Sequence, residues 1–335
     1  MQLTMAPLRS ISFLALLPPL GSALAPLNEF FNITIFPNEQ KANVTRYLNE
    51  AAALATDGSI HQYFQDQCIV QQVYPPLFQF QTGYVAPFSP FDNLYFIGHS
   101  GVSSWAYNTT EGIVVVDALD NQEEVEAILI PGLERFGLAA KDIKHLIITH
   151  EHLDHYGGAK YIQDTFGPAV YASEKAWQGM KEMGLSANPP VPTKDRVLED
   201  GAKLTVGDVT FHVVLTPGHT PGTLSLIFPV VDHGRSHVAG ISGGTGTPKD
   251  AVSREQKIRS QYRFSRICKD LGVDTLISNH QVADHALWHA DMLTHRAAGA
   301  TNPFVIGVDN FENYMKINAI CSKVIAAREG QNLQV

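Results

Sequence analysis

Cysteine is scarce in this chain, with three in 335 residues at positions 68, 268 and 321. None lies close enough to another to form a short zinc ribbon, and three thiols are too few for a disulfide-rich scaffold. One disulfide plus one free thiol is compatible with an oxidising compartment, and so are three buried thiols. Positive charge is also in short supply: 24 Lys+Arg against 33 Asp+Glu give a formal net charge of −9. Recognition of a nucleic-acid backbone would favour the opposite balance, so no nucleic-acid partner is expected. Beyond the first 25 residues no apolar run approaches membrane-spanning length, and no membrane partner is expected. There is no internal repeat, no low-complexity tract and no G-x-G-x-x-G behind the first strand. The regular strand–helix alternation of a doubly wound parallel sheet is missing too.

The sequence does contain a globular chain, 44% hydrophobic and 17% charged, large enough for one big core or two modest ones. Its start has the order of an export signal. Arg9 precedes an apolar run over 11–17, followed by Pro18, Pro19 and Gly21 and then Ala23-Leu24-Ala25, a small-x-small pattern. Residues 1–25 are therefore expected to be a signal peptide and the protein to be secreted. Asn-x-Thr triplets at Asn32, Asn43 and Asn108 are then candidate glycan acceptors.

Residues 26–85 are expected to form a helical, partly irregular N-terminal extension, and 86–335 the main domain. In the extension, an apolar stripe over 44–56 predicts a helix. In the main domain, 103–107 and 113–116 flank a Gly-containing turn and predict a hairpin. Residues 122–136 predict an amphipathic helix interrupted at Pro131. Further strands are expected at 146–148, 169–172, 204–216 (as a hairpin), 224–231, 237–241 and 275–278. Helices are expected at 157–166, 251–271 and 314–329. Strand-rich blocks with hairpins in each half and helices between them imply packed sheets with helices outside.

The segment that carries chemistry follows the apolar run at 146–148: His150-Glu-His152-Leu-Asp154-His155. In extended backbone, residues two apart project to the same side, so His150 and His152 can share one ion. The chain then turns, and Asp154 and His155 address a neighbouring position. Neutral imidazoles with one carboxylate suit Zn²⁺. Packed together without a cation, the same groups would be costly to bury. Two distant segments supply further imidazoles at the ends of expected strands: Thr216-Pro-Gly-His219-Thr-Pro-Gly222 and Ser278-Asn-His280. His285 and His289 lie near enough to rival His280, which is preferred because it ends a strand. Tyr156, beside the string, is expected to line the site.

These motifs resemble the metallo-β-lactamase superfamily over about residues 86–290. They are Val116-Asp117, His150 to His155, Gly218-His219-Thr220-Pro221-Gly222 and His280. The resemblance implies an α+β fold, a four-layer αββα sandwich, here with the N-terminal helical extension added. It also implies zinc-dependent hydrolysis of a carbonyl compound (amide, lactam, lactone or thioester) by a metal-bound hydroxide, with a small-molecule substrate. Most members place a metal-bridging aspartate after the strand that follows the third histidine. Here that stretch reads Ala239-Gly-Ile-Ser-Gly-Gly-Thr-Gly246, and the first acid downstream is Asp250. This is most similar to the third, three-histidine β-lactamase subclass, and less like glyoxalases or phosphodiesterases. By that likeness His150, His152 and His219 hold one zinc ion, and Asp154, His155 and His280 a second. Asp154 also orients the attacking group or relays its proton, and Asp117 orders the metal loop. The likeness further implies a Cys268–Cys321 disulfide with Cys68 unpaired. The rival enzyme reading takes Gly240-Ile-Ser242-Gly-Gly244 as a serine-hydrolase elbow, with Asp274 and His280 following in order. The non-enzymatic alternative is a secreted metal-binding protein.

Overall fold

The computed structural model describes residues 34–78, 83–184 and 189–335. The expected signal peptide and Asn32 lie outside these residues. Among the described residues no helix is long and apolar enough to cross a membrane.

Two sheets face each other. The first runs, in spatial order, β1 (Phe88–Phe91), β2 (Leu94–Gly98), β3 (Ser103–Thr109), β4 (Gly112–Val116), β5 (Ile143–Ile147), β6 (Ala169–Ala172) and β7 (Arg196–Val197). β1 to β4 form an antiparallel meander, and β4 to β7 are parallel. The second sheet is β8 (Lys203–Val206), β9 (Val209–Leu215), β10 (Leu224–Asp232), β11 (Arg235–Ser242) and β12 (Thr275–Ser278), with β12 parallel to β11 and the rest antiparallel.

The period-two rule for strands explains the layering. In β4, Val114 and Val116 point between the sheets into a core with Phe96, Trp105, Phe211, Phe228 and Ile241. Their neighbours Ile113 and Val115 point the other way, into a second core with Leu133, Ile162 and Met180 from covering helices. β4 therefore reads as an unbroken apolar run because both its faces are buried. On the far side of the second sheet, Val214, Ile227 and Leu276 meet Phe264, Ile317 and Ile320 from helices Ala251–Asp270 and Val308–Arg328. The result is the expected four-layer αββα sandwich.

The expected helix over 122–136 is continuous from Gln122 to Arg135, with a wide π-helical turn at Val125–Leu129 just before Pro131. Proline donates no backbone hydrogen bond, and a locally widened turn lets the helix pass it without a break. The N-terminal extension folds as helices Lys41–Leu54 and Gly58–Gln65, continuing through Asp66–Val70, and packs on the closing helix.

The cysteine pairing implied by resemblance is not the one formed. Cys68 bonds Cys321, with Cα atoms 4.7 Å apart, and Cys268 is a buried free thiol. The extension explains the difference. Its Asp66–Val70 turn lies on the closing helix and brings Cys68 to Cys321. Cys268 instead points inward from its own helix, and burial pushes its thiol well above the ordinary range.

Candidate metal centre

The loops leaving β4, β5, β9, β11 and β12 are tied to one another. β4 ends at Asp117, where the backbone turns with φ +64°, a conformation aspartate tolerates better than most residues. The fully buried Asp117 carboxylate accepts three hydrogen bonds: Thr149 N–H at Oδ1 (2.8 Å), and the Thr149 hydroxyl (2.8 Å) and His155 Nδ1–H (2.8 Å) at Oδ2. Asn279, after β12, donates to the Thr149 hydroxyl (3.0 Å) and to Gly243 O after β11 (2.9 Å).

This frame brings all six sequence-predicted residues together in two adjacent groups. In one, His150 Nε2, His152 Nδ1 and His219 Nε2 form a nearly equilateral triangle with sides of 3.2, 3.2 and 3.1 Å. In the other, His155 Nε2 lies 3.1 Å from His280 Nε2 and 3.3 Å from Asp154 Oδ2, with 3.5 Å between the last two.

The opposite ring nitrogens decide what these triangles suit. His219 Nδ1–H donates to Gly246 O (2.8 Å), His280 Nδ1–H to Gly101 O (2.8 Å) and His155 Nδ1–H to Asp117. The Thr149 hydroxyl spends its own proton on Asp117, so at 3.1 Å it accepts from His150 Nδ1–H. In the neutral rings each Nε2 is then a bare lone pair, and such lone pairs point at one another across about 3 Å. That arrangement repels itself unless a cation lies between. A tetrahedral ion with Zn–N bonds of about 2.0–2.1 Å needs ligand nitrogens about 3.3 Å apart, close to the observed edges. The donor set thus fits zinc, with the far nitrogens of His150, His155, His219 and His280 held by partners that fix tautomer and ring orientation.

The electrostatics divide between the triangles. Burial holds His150 well below the usual imidazole range and His219 down at about 3, so both stay neutral ligands at ordinary pH. In the second triangle burial acts against charge, but Asp117 and Asp154 outweigh it and lift His155 to about 10. Asp154 is likewise opposed by burial, yet His155 and His280 hold it well below the usual carboxylate range. Without an ion His155 therefore holds a second proton on Nε2 at neutral pH, facing His280 and Asp154, and the second triangle offers its full set of lone pairs only when a cation takes that proton's place.

Several contributors carry no motif. Glu151, between the two first histidines, is buried and accepts from Thr220 Oγ1 (2.8 Å) and Gly222 N–H (3.2 Å), locking the loop that carries His219. Lys257 is buried beneath the glycine-rich stretch, its ammonium held by Thr245 O (2.6 Å), Gly246 O (2.7 Å) and Gly244 O (3.3 Å). Burial lowers it to about 7. Gly218, at φ +138°, lets this packing close: a Cβ there would lie 2.3 Å from the Lys257 backbone nitrogen.

Other expectations are resolved by the same contacts. Asp250 is the N-cap of the Ala251–Asp270 helix, accepting from Ser253 N–H at 2.9 Å. Asp274 bonds His237 (2.6 Å) rather than His280, and no helix follows Ser242 until Ala251, so Ser242, Asp274 and His280 form no serine-hydrolase triad. His285 pairs with Asp66 (2.8 Å), and His289 is packed beside Phe304. Tyr156 does not line the site: its ring is fully buried among Ile148, Ala159 and Ile162. The turn at Leu153–Tyr156 points Asp154 and His155 to the ligand cluster and the next residue to the opposite side. A cleft of about 400 Å³ opens beside the first triangle, between His152, His219 and Pro221 and the helix residues Lys175, Gln178 and Met183.

Comparison with known proteins agrees with this geometry. Residues 97–232 match the family model described as the metallo-beta-lactamase superfamily. An uncharacterised protein of Aquifex aeolicus is 33% identical over 119 residues, covering 32% of this chain and 56% of that protein. A hydroxyacylglutathione hydrolase of Pseudomonas entomophila is 31% identical over 83 residues, covering 25% of this chain and 27% of that enzyme. The chain thus spans about half, or less, of the length of the curated relatives it matches. Among solved structures, a metallo-beta-lactamase of Cronobacter sakazakii superposes with a TM-score of 0.61 at 25% identity, over 76% of this chain and all (100%) of that one. A subclass B3 metallo-beta-lactamase of Bradyrhizobium japonicum gives 0.59 at 22% identity, over 70% and 92%.

Proposed function

Because residues 97–232 match the metallo-β-lactamase superfamily model, we propose that the chain is a member of that superfamily and a zinc-dependent hydrolase that cleaves a small-molecule amide, lactam, lactone or thioester. The observation that carries this reading is the pair of lone-pair triangles, each matched in size to one ion. His150, His152 and His219 would hold one zinc ion, and Asp154, His155 and His280 a second. Bound there, the ions would supply Lewis-acid polarisation of the carbonyl and a nucleophile drawn from water at neutral pH.

The chain's own groups do the rest. Asp154 is the one carboxylate in the set, its side chain 30% exposed; with Oδ2 in the ligand triangle, its other oxygen is left to orient water or accept a proton. Asp117, Gly101 O and Gly246 O hold three imidazoles in the tautomer that offers Nε2. The cleft beside His152 and His219 receives the substrate, where Met183 and Pro221 offer apolar contact and Lys175, Gln178 and Glu182 polar contact to its non-reacting part. No side-chain nucleophile is involved. The Cys68–Cys321 bond supports the export expected from residues 1–25, since such bonds persist outside reducing compartments.

The test is hydrolysis of a chromogenic β-lactam, a lactone and a thioester by the zinc-loaded chain and by His152→Ala. Turnover of at least one substrate by the wild type, lost on chelation and lowered by roughly 10²-fold or more in the variant, supports the reading. A zinc-loaded wild type that turns over none of them favours a metal-binding protein without catalysis. Activity abolished by a serine-directed phosphonate would revive Ser242.

A further inference from the structure

His99, Asp120 and Glu124 form a cluster that no motif announces, in the loops after β2 and β4 and the first turn of the helix that begins at Gln122. His99 is buried, 6% exposed. Its Nε2 lies 3.1 Å from Asp120 Oδ2 and 3.7 Å from Glu124 Oε2, and Glu124 also accepts Asp120 N–H at 3.0 Å. These side chains have the composition of a cation site, with candidate ligand atoms within 4.8 Å of one another. The other edge of the ring argues otherwise. Nδ1 of His99 accepts the backbone N–H of Gly101 (3.0 Å) and lies 3.4 Å from that of Val102. A nitrogen that accepts carries no proton, so the neutral ring carries its proton on Nε2, aimed at Asp120. An ion on Nε2 would force the proton to Nδ1, against the Gly101 N–H.

Gly101 is held from both sides. Its N–H goes to His99, and its carbonyl accepts His280 Nδ1–H at 2.8 Å. The loop continues into Ser103, whose N–H bonds Asn279 O next to His280 (2.9 Å). We infer that His99, fixed by Asp120 and Glu124, is a positioning residue for His280: through the Gly101 peptide it sets the tautomer and orientation that turn His280 Nε2 toward His155 and Asp154. The inference rests on the proposed reading of His280 as a zinc ligand. It goes beyond that reading by placing the control of one ligand at three residues that touch neither triangle. Among the described loops, this one supplies His280 with the partner that Asp117 supplies to His155.

The measurement is zinc titration of the metal-free full chain against a chromogenic chelator. It is joined to ¹H–¹⁵N spectra of the histidine side chains, which report tautomers without any turnover. Wild type takes up two ions. His99→Ala weakens one of the two steps about 10–100-fold, the usual effect of losing a group that orients a ligand, and leaves the other unchanged. His280 then no longer shows a single Nδ1–H form. His99→Asn, whose amide oxygen sits near the place of Nδ1, restores most of the lost affinity. Wild-type affinities in His99→Ala, equal weakening of both steps, or no recovery in His99→Asn overturns the inference while leaving the two-ion reading in place. Fewer than two ions in the wild type overturns both.

Discussion

Replacing Asp117 with asparagine changes one atom and, by the contacts described, disturbs the second triangle more than the first. Three donors converge on the two carboxylate oxygens: Thr149 N–H, the Thr149 hydroxyl and His155 Nδ1–H. An amide has one oxygen and one NH₂, so it can serve the N–H at one side only by facing the other side with donors. The Thr149 hydroxyl can rotate and accept. His155 has no such freedom: its cheapest response is to move its proton from Nδ1 to Nε2, the nitrogen that faces His280 and Asp154. The lost charge-assisted hydrogen bond costs roughly 1.5–3 kcal/mol of stability. The mis-set imidazole weakens zinc at the second triangle about 10–100-fold, or about 1.4–2.7 kcal/mol. The first triangle keeps two ligands, His152 and His219, that do not touch Asp117, so its affinity changes by less than about 3-fold. The assay is competitive zinc titration with urea denaturation of the zinc-free protein. Unchanged second-site affinity with His155 still in its Nδ1–H form would refute the tautomer reasoning.

Two further outcomes follow from other parts of the molecule. A chain-entropy estimate for the 253-residue separation closed by Cys68 and Cys321 gives on the order of 5 kcal/mol as a ceiling. Cys68→Ser or reductant should therefore lower the urea midpoint strongly and Cys268→Ser far less; the reverse ranking would place the disulfide elsewhere. His289 is buried, its Nδ1 lacks a partner, and burial with His285 nearby lowers it to about 4. The unfolded chain takes up this proton near pH 6.5 and the folded chain only near 4, so stability is lost as pH falls through that window, by up to a few kcal/mol. His289→Leu should then gain on wild type steadily between pH 6.5 and 4.5 in urea midpoints, and parallel curves would contradict the assignment.

How much of this was legible beforehand depended on distance along the chain. The string from His150 to His155 is readable because four ligand-type residues fall within six positions and extended geometry dictates where the first two point. His219 and His280 were readable because each ends an apolar run at a turn. The layering was readable from apolar runs, since strands covered on both faces lose their polar alternation, as β4 does. The Cys68–Cys321 bond was not, because it depends on how an extension docks on a helix some 250 positions away. Tyr156 was misplaced because adjacency to ligands says nothing about which side of a tight turn a ring takes. Lys257 and His99 were invisible for a related reason. Their partners are mainly backbone groups of remote loops, which any sequence would provide. Glu151 sat inside the motif itself; its one available cue was a carboxylate between two ligands of a strand-end loop.

The central claim is that six side chains hold two ions, and anomalous X-ray scattering at the zinc edge tests it most directly. The account predicts two peaks in crystals of the zinc-loaded protein. One is bounded by His150 Nε2, His152 Nδ1 and His219 Nε2, the other by Asp154, His155 Nε2 and His280 Nε2. A single peak, none, or a peak among His99, Asp120 and Glu124 would contradict it.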